Sequence, residues 1–260
     1  MKQSVFLTAV VLITLAVAIS IHLFILGDPG NFRDGETRHV PQNLMGTVYT
    51  GGVIVPLLIT LTLMNLTLVF ERMFSLRKAN GRGPIVNFLK NVQKALMSGN
   101  IDEAIKACDA QRGSAANIIR TGLARYKDIV DDKKLDAEKK MAETKRAIEE
   151  ATSLETPLLE RNLIALSTIA SVATMFGLLG TTIGMIRAFT ALAAAGGAPD
   201  AIQLSIGISE ALINTALGLF AAILGIIAYN FFVTKVDNFT YMIDEASYNV
   251  VELLSSKTTN

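Results

Sequence analysis

The chain has 260 residues, of which 51% are hydrophobic and only 18% charged, and its mean hydropathy is +0.43. This composition is too apolar for an ordinary soluble domain and predicts an all-α, multi-pass transmembrane helix bundle. The net charge of +1 argues against a nucleic-acid partner. The single cysteine, Cys108, excludes an internal disulfide, and two histidines, His22 and His39, are too few for a histidine-rich metal centre. We therefore expect neither a metal nor a cofactor.

Four stretches of the sequence carry no charged residue: 3–27, 40–70, 162–186 and 211–234. A spanning helix needs about 20 apolar residues, so each stretch is long enough to cross a bilayer. We place the spans near 4–26, 48–70, 163–190 and 203–233. Segment 71–161 holds 32 of the 47 charged residues, 18 of them Lys or Arg. The positive-inside rule then puts this segment and both termini in the cytoplasm and the loops 27–44 and 191–202 outside.

The first span has two interpretations. Lys2 followed by an apolar run is also typical of a signal peptide, and Ala16-Val17-Ala18 matches a cleavage site. The apolar run continues to Leu26, well past that site. We therefore favour a retained transmembrane helix, spanning residues 1–27, rather than a cleaved signal peptide. Under both interpretations, the loop at 28–47 is expected on the outer, periplasmic side of the membrane.

The charged segment 71–161 is predicted to be helical. Turn residues at 97–100 and at 111–114 predict two breaks between helices. Cys108 belongs to an apolar stripe at helical spacing, which favours a buried structural thiol over a reactive nucleophile.

A further helix is predicted from Lys133 into the third span, with Pro157 as the only break. Its apolar positions repeat at three-, four- and seven-residue steps: Met141, Ile148, Ala151, Leu154 and Leu158. If continuous to Thr190, this helix would be about 85 Å long at 1.5 Å per residue. Such a projecting helix needs partners to cover its apolar stripe, which predicts an oligomer. We interpret the charged run 133–145 as a solvated helix face rather than a docking patch.

The third and fourth spans carry stripes of small residues, which let membrane helices approach closely. The predicted packing positions are Gly177, Gly180, Gly184, Gly218, Ala222 and Gly225. Thr181, Thr182, Ala211 and Thr215 extend these stripes. A neighbouring stripe on the fourth span holds Glu210, Asn214, Leu217 and Ala221.

Glu210 is the only acidic residue inside a predicted span. An ionisable group in the bilayer is costly and marks a candidate functional site. We favour an ion pathway, and the alternative is a structural ion pair with Arg187 near the outer end of the third span. Thr181 and Thr215 lie at a similar depth and are candidates for a polar lining, unless each hydroxyl merely bonds its own helix backbone.

These residues resemble a known family. Gly180-Thr181-Thr182-Ile183-Gly184-Met185 is similar to the G-T-V-x-G-M signature of the ExbB/TolQ/MotA proton-channel subunits. Residues 208–219, ISEALINTALGL, are similar to that family's I-x-E-A-L-x-x-T-A-x-G-L. Glu71-Arg72 and residues 98–104, SGNIDEA, resemble ExbB-type members in particular. The resemblance extends over roughly residues 48–240.

The resemblance implies a homo-oligomeric ring, a pentamer, in the bacterial inner membrane. Its pore would hold a single-span ExbD/TolR-like partner whose aspartate takes up and releases protons, and the output would pass to a TonB-like protein. By motif position, Thr181 and Thr215 would face that aspartate, and Glu210 would be the pore glutamate, with Asn214 also lining the pathway. Composition and charge, together with this resemblance, predict six segments: 1–27, a transmembrane helix; 28–47, a periplasmic loop; 48–70, a transmembrane helix; 71–161, a cytoplasmic helical domain; 162–233, the proton-channel domain; and 234–260, a cytoplasmic tail.

Several features depart from the family or leave alternatives open. Thr174 and Leu224 stand where the family often has proline, and the first span and its loop are extra relative to a three-span ExbB. Within the family, a TolQ-like or MotA-like stator role is the alternative to an ExbB-like one. A non-conducting membrane scaffold is a further alternative, and the sequence carries no nucleophile–base motif that favours an enzyme.

Overall fold

A computed structural model describes residues 2–35, 38, 40–194 and 201–258 of the chain. Its long elements are all helices, which confirms the predicted all-α fold; among the described residues the only strand-like pairing is an isolated bridge between Phe32 and Pro41. The α-helices are α1 (Lys2–Ser20), α2 (Leu44–Tyr49), α3 (Ile54–Asn80), α4 (Ile85–Met97), α5 (Ile101–Gln111), α6 (Ser114–Ile129), α7 (Ala137–Glu160), α8 (Leu163–Ala194) and α9 (Ala201–Thr258). His39 and residues 195–200 of the predicted outer loop 191–202 lie outside the described residues.

The described part of the chain contains four helical segments long and apolar enough to cross a membrane. They lie within Leu7–Leu26, Ile54–Met97, Ala137–Ala193 and Ile202–Ser256. Each overlaps one of the four predicted spans, so this is a multi-pass membrane protein. The chain divides into two compact units: a membrane unit of residues 1–70 and 162–230, and a charged unit of residues 71–161 and 231–260.

Two helix boundaries differ from the sequence prediction. The second span begins as a helix at Ile54 rather than near residue 48, because Gly52 adopts a positive φ of 73° that no helix accommodates. The predicted break at Pro157 is wrong: Pro157 lies inside α7, and the chain turns instead after Glu160. There Arg161 is extended and Asn162 has a φ of 63°, a left-handed conformation that asparagine tolerates better than most residues.

The N-terminal segment of the membrane unit continues α1 as a π-helical stretch, Ile21–Leu26, and then turns over a 3₁₀ helix, Pro29–Asn31. Tyr49 holds this segment together. Its ring stacks on His22 at 4.6 Å between centroids and meets the edge of Phe32 at 5.6 Å. The guanidinium of Arg38 lies 5.8 Å from the same ring and donates a hydrogen bond to the Tyr49 hydroxyl.

The charged unit has its own apolar core, built from α4, α5, α6 and the C-terminal part of α9. Both predicted breaks are present, and the side chain of Asn100 caps α5 by accepting a hydrogen bond from the backbone N–H of Glu103. Cys108 is 2% exposed within this core, where burial raises the pKa of its thiol to about 12. It is therefore a structural residue, since a reactive thiol needs a lowered pKa.

Along α7 the predicted apolar stripe is only partly covered. Ile148 and Ala151 are buried, whereas Leu154 and Leu158 are exposed in the single chain. Near the start of the unit, Arg72 is fully buried; its guanidinium pairs with Glu71 at 2.6 Å and donates to the carbonyl of Leu159.

Candidate functional site

Glycines bring α8 and α9 into backbone contact in the membrane unit. A Cβ atom on Gly184 would lie 2.7 Å from the backbone nitrogen of Ala211, and one on Gly218 would lie 2.8 Å from the carbonyl oxygen of Ala173. The other packing positions named from the sequence also lie in close contacts or are buried: Gly177, Gly180, Ala222 and Gly225. These small residues therefore let the two helix backbones approach closely.

Glu210 is held in this contact by Arg187. The side chain of Glu210 is only 4% exposed, and both of its carboxylate oxygens accept hydrogen bonds from Nη1 of Arg187, at 2.5 and 2.8 Å. The guanidinium itself is 55% exposed in the single chain. The structure thus contains the ion pair that the sequence left as the alternative to an ion pathway. Removal of either member of such a pair would leave the other without its partner.

Asn214 lies one helical turn after Glu210 and is fully buried. Its amide nitrogen donates to the carbonyl oxygen of Gly51, 2.9 Å away, in the turn before α3. The amide fits because Gly180 on α8 has no side chain; a Cβ atom there would overlap the Asn214 side chain. Glu210 and Asn214 together therefore face the Gly51–Gly52 turn.

Gly52 completes the surroundings of the carboxylate. A Cβ atom built on Gly52 would lie 2.7 Å from Oε1 of Glu210 and 3.5 Å from Nη1 of Arg187. Its positive φ of 73° also favours glycine. The turn therefore contacts the ion pair through its backbone, which only a glycine permits.

The two threonines do not join this polar cluster through their hydroxyls. Thr181 donates to the carbonyl of Leu178 at 2.6 Å, and Thr215 donates to the carbonyl of Ala211 at 3.2 Å. Both are partly exposed in the single chain. The structure therefore brings together Glu210, Arg187 and Asn214, and leaves the threonine hydroxyls bonded to their own helices.

A second amide contact joins α3 to α9 deeper in the membrane unit. Asn65 is buried, and its amide nitrogen donates to the carbonyl oxygen of Ala221 at 2.9 Å. A Cβ atom on Gly225 would lie 3.0 Å from that nitrogen, so Gly225 makes room for the amide. The second span is thus tied to the fourth by hydrogen bonds at two levels.

Sequence reasoning missed Gly51, Gly52 and Asn65. The signals were present: a Gly-Gly pair directly before an apolar run, and one amide side chain inside that run. No pattern in the sequence indicates that the turn reaches Glu210, because the contact joins residues more than 150 positions apart. In the part of the chain that the structure describes, no group of three or more His, Cys, Asp or Glu side chains is arranged to hold a metal.

A sequence profile of the MotA/TolQ/ExbB proton channel family matches residues 110–245, just over half of the chain. The match includes α8, most of α9 and every residue of the Glu210–Arg187–Asn214 cluster. This family contains channel subunits rather than enzymes.

Several named proteins are similar to parts of this chain. The Tol-Pal system protein TolQ of Pseudomonas aeruginosa is 39% identical over 115 residues, which are 44% of this chain and 49% of that protein. The biopolymer transport protein ExbB of Xanthomonas campestris is 38% identical over 37% of this chain and 40% of its own length. The ExbB-like 1 protein of Synechocystis is 30% identical over 74% of this chain and 71% of its own length. The chain thus spans less than half of the first two relatives and most of the third.

Proposed function

Since the chain belongs to the MotA/TolQ/ExbB proton channel family, we propose that it is a proton-channel subunit of an inner-membrane motor. In this proposal it works with an ExbD-like single-span partner, uses the proton-motive force and energises TonB-dependent transport across the outer membrane. Its termini and charged unit lie in the cytoplasm, as the lysine and arginine distribution predicts.

The observation that carries the proposal is the buried Glu210 on a membrane helix. Its carboxylate is 4% exposed, yet it sits in a helix contact made almost entirely of glycine and alanine. A carboxylate in such a place is costly and is retained for a function. The proton-motive force, as the proposed energy source, supplies about 2.3 kcal/mol per charge per 100 mV.

We assign Thr181 and Thr215 to the pore surface that faces the partner's aspartate. Both are partly exposed in the single chain, in contrast to the buried Glu210 and Asn214. Each hydroxyl donates to its own helix, so its oxygen still has a lone pair free to accept a bond from a protonated carboxyl group.

A ring of copies, which we take as a pentamer, accounts for the apolar side chains that the single chain leaves uncovered on both channel helices. Met175, Ile186, Leu212 and Ile227 are each more than 60% exposed. In a ring, these side chains would contact neighbouring copies, the partner helix or membrane lipids.

The first experiment is native mass spectrometry of the complex purified gently from its own membranes. The proposal expects about five copies with a small single-span partner that carries an intramembrane aspartate. A dimer, or a ring whose partner has no ionisable intramembrane residue, contradicts the motor and favours the scaffold.

The second experiment measures proton flux after the complex is reconstituted in liposomes. Glu210→Gln removes the charge with little change in shape and is expected to abolish flux with assembly intact. Glu252→Gln is the matched control, because that carboxyl lies on the same helix but is exposed. Thr181→Val and Thr215→Val are expected to slow flux, with the exposed Thr168→Val as their control. A scaffold would tolerate all of these changes.

A TolQ-like role in envelope maintenance is the second candidate, because a relative named TolQ is as similar as the one named ExbB. Deletion of the gene separates the two roles. An ExbB-like role predicts that the deletion abolishes TonB-dependent uptake across the outer membrane, whereas a TolQ-like role predicts a defect in envelope maintenance with that uptake intact.

A further inference from the structure

The turn at 50–53, directly before α3, contacts two neighbouring polar residues of α9. The carbonyl oxygen of Gly51 accepts the hydrogen bond of Asn214 at 2.9 Å, and Gly52 lies against the carboxylate of Glu210. We propose that this turn is a positioning element that holds Glu210 on Arg187 and restricts access to its carboxylate. The inference rests on the proposed function, since it assigns a second structural element to the same site.

The contact at Gly52 is too close for any side chain. A Cβ atom there would be 2.7 Å from Oε1 of Glu210, well inside normal contact distance. The carboxylate is 4% exposed, and the backbones of α8 and α9 approach closely beside it at Gly184 and Gly207. A side chain at position 52 must therefore displace either the carboxylate from Arg187 or the turn from α9.

The hydrogen bond at Gly51 fixes the turn in register with α9. Asn214 lies four residues after Glu210, so both side chains project from the same face of the helix. Because the Gly51 carbonyl is hydrogen-bonded to Asn214, the next residue of the turn, Gly52, lies against the side chain of Glu210. Movement of the 50–53 turn away from α9 would therefore uncover the carboxylate and loosen its pair with Arg187.

The test compares substitutions at two glycines that share a positive φ. Gly52→Asn is the main variant, because asparagine tolerates the left-handed region and the substitution mainly adds the Cβ contact. Gly35→Asn is the matched control, since Gly35 has a φ of 58° and nothing within 4 Å of its Cβ position. Both are made in the full chain and purified as the complex.

Three measurements report on Glu210 and its surroundings. Dicyclohexylcarbodiimide labels carboxyl groups that it can reach inside a membrane, and mass spectrometry of the peptides identifies the labelled residue. We expect Gly52→Asn to raise the labelling of Glu210 several-fold and to reduce proton flux roughly ten- to hundredfold, the range for an ångström-scale displacement of a functional group. We also expect a shifted pH profile of flux. Gly35→Asn is expected to match the natural protein in all three measurements.

A compensating change tests the contact directly. Glu210→Asp shortens the side chain by one methylene and withdraws the carboxylate from position 52. The Gly52→Asn/Glu210→Asp protein is therefore expected to show a smaller effect of the glycine substitution than Gly52→Asn shows alone. If Gly52→Asn fails to assemble, recovery of assembly in the double variant supports the proposal and its absence overturns it.

Unchanged labelling and flux in Gly52→Asn overturn the inference, as does an equal effect of that substitution in the natural and Glu210→Asp backgrounds. Failure of the proposed function has a different outcome: the natural complex then shows no Glu210-dependent flux. In that case the labelling of Glu210 still tests whether the turn covers the carboxylate.

Discussion

Replacement of Arg187 by leucine leaves a carboxylate buried without its partner. Glu210 is 4% exposed and receives two hydrogen bonds from one nitrogen of Arg187. Removal of one partner of a buried pair destabilises a protein by about 3–5 kcal/mol. Because Arg187 is 55% exposed, solvent and headgroups already weaken the pair, so we expect the lower end of that range, ~3 kcal/mol. For a chain of this size, ~3 kcal/mol corresponds to a melting temperature lower by roughly 6–12 °C.

The structure predicts an asymmetry between the two members of the pair. Glu210→Leu leaves an arginine that is already half exposed and can extend toward the membrane surface, so its loss of stability is expected to be smaller. In the Arg187→Leu/Glu210→Leu double variant, apolar side chains replace the whole pair. Such replacement is often neutral or stabilising, so the double variant is expected to melt within a few degrees of the natural protein.

The melting temperatures of the two single variants and the double variant are measured by thermal unfolding in detergent, followed by circular dichroism at 222 nm. Arg146→Leu is the matched control, because it breaks a pair with Glu150 whose side chains are both well exposed. Such a surface pair contributes about 0–1 kcal/mol. An Arg187→Leu protein that melts like the control, or a double variant in which the two losses simply add, would refute the structural importance of this pair.

Three further predictions concern other parts of the chain. Burial raises the pKa of the Cys108 thiol to about 12, so the folded state holds this proton more tightly than the unfolded state. Stability should therefore fall as the pH rises above the ordinary thiol value of 9.0, and Cys108→Ala should melt with a shallower dependence on pH in that range. Gly122→Ala would place a Cβ atom into the side chain of Ile148, and we expect it to destabilise the charged unit by about 1–3 kcal/mol, with partial recovery when Ile148→Val is added. Tyr49→Ala should expose the loop before α2 to limited proteolysis, whereas Tyr49→Phe keeps the ring contacts with His22 and should remain resistant.

The sequence predicted those features that depend on local chemistry. Small residues at helical spacing and one carboxylate in an apolar span are visible in any membrane helix, and both mark the region where α8 and α9 meet. The turn before α5 was equally readable, because Asn100 caps that helix with its own side chain. None of these inferences requires knowledge of which distant residues come together.

The positions of the helix ends depend on competing local sequence preferences, so they were predicted less well. Pro157 is a strong helix breaker in principle, yet it remains inside α7, since a helix can bend around a proline when its neighbours re-satisfy the backbone. The actual break uses Asn162, whose positive φ is the signature of a helix end. Pro56, in the first turn of α3, agrees with a start at Ile54, since proline is tolerated there.

The sequence treated the ion pair and the ion pathway as alternatives for Glu210, but an ion pair in the single chain is compatible with the proposed pathway. An isolated carboxylate inside a membrane is strongly destabilised, so a nearby cation is a condition for its charge to exist there at all. In the single chain the buried member of the pair is the carboxylate and the exposed member is the guanidinium of Arg187. A carboxylate brought by another chain would therefore meet Arg187 first and compete with Glu210 for it. Such a competition would link the charge of a partner helix to the position of α9, and through Gly51 and Gly52 to the start of α3.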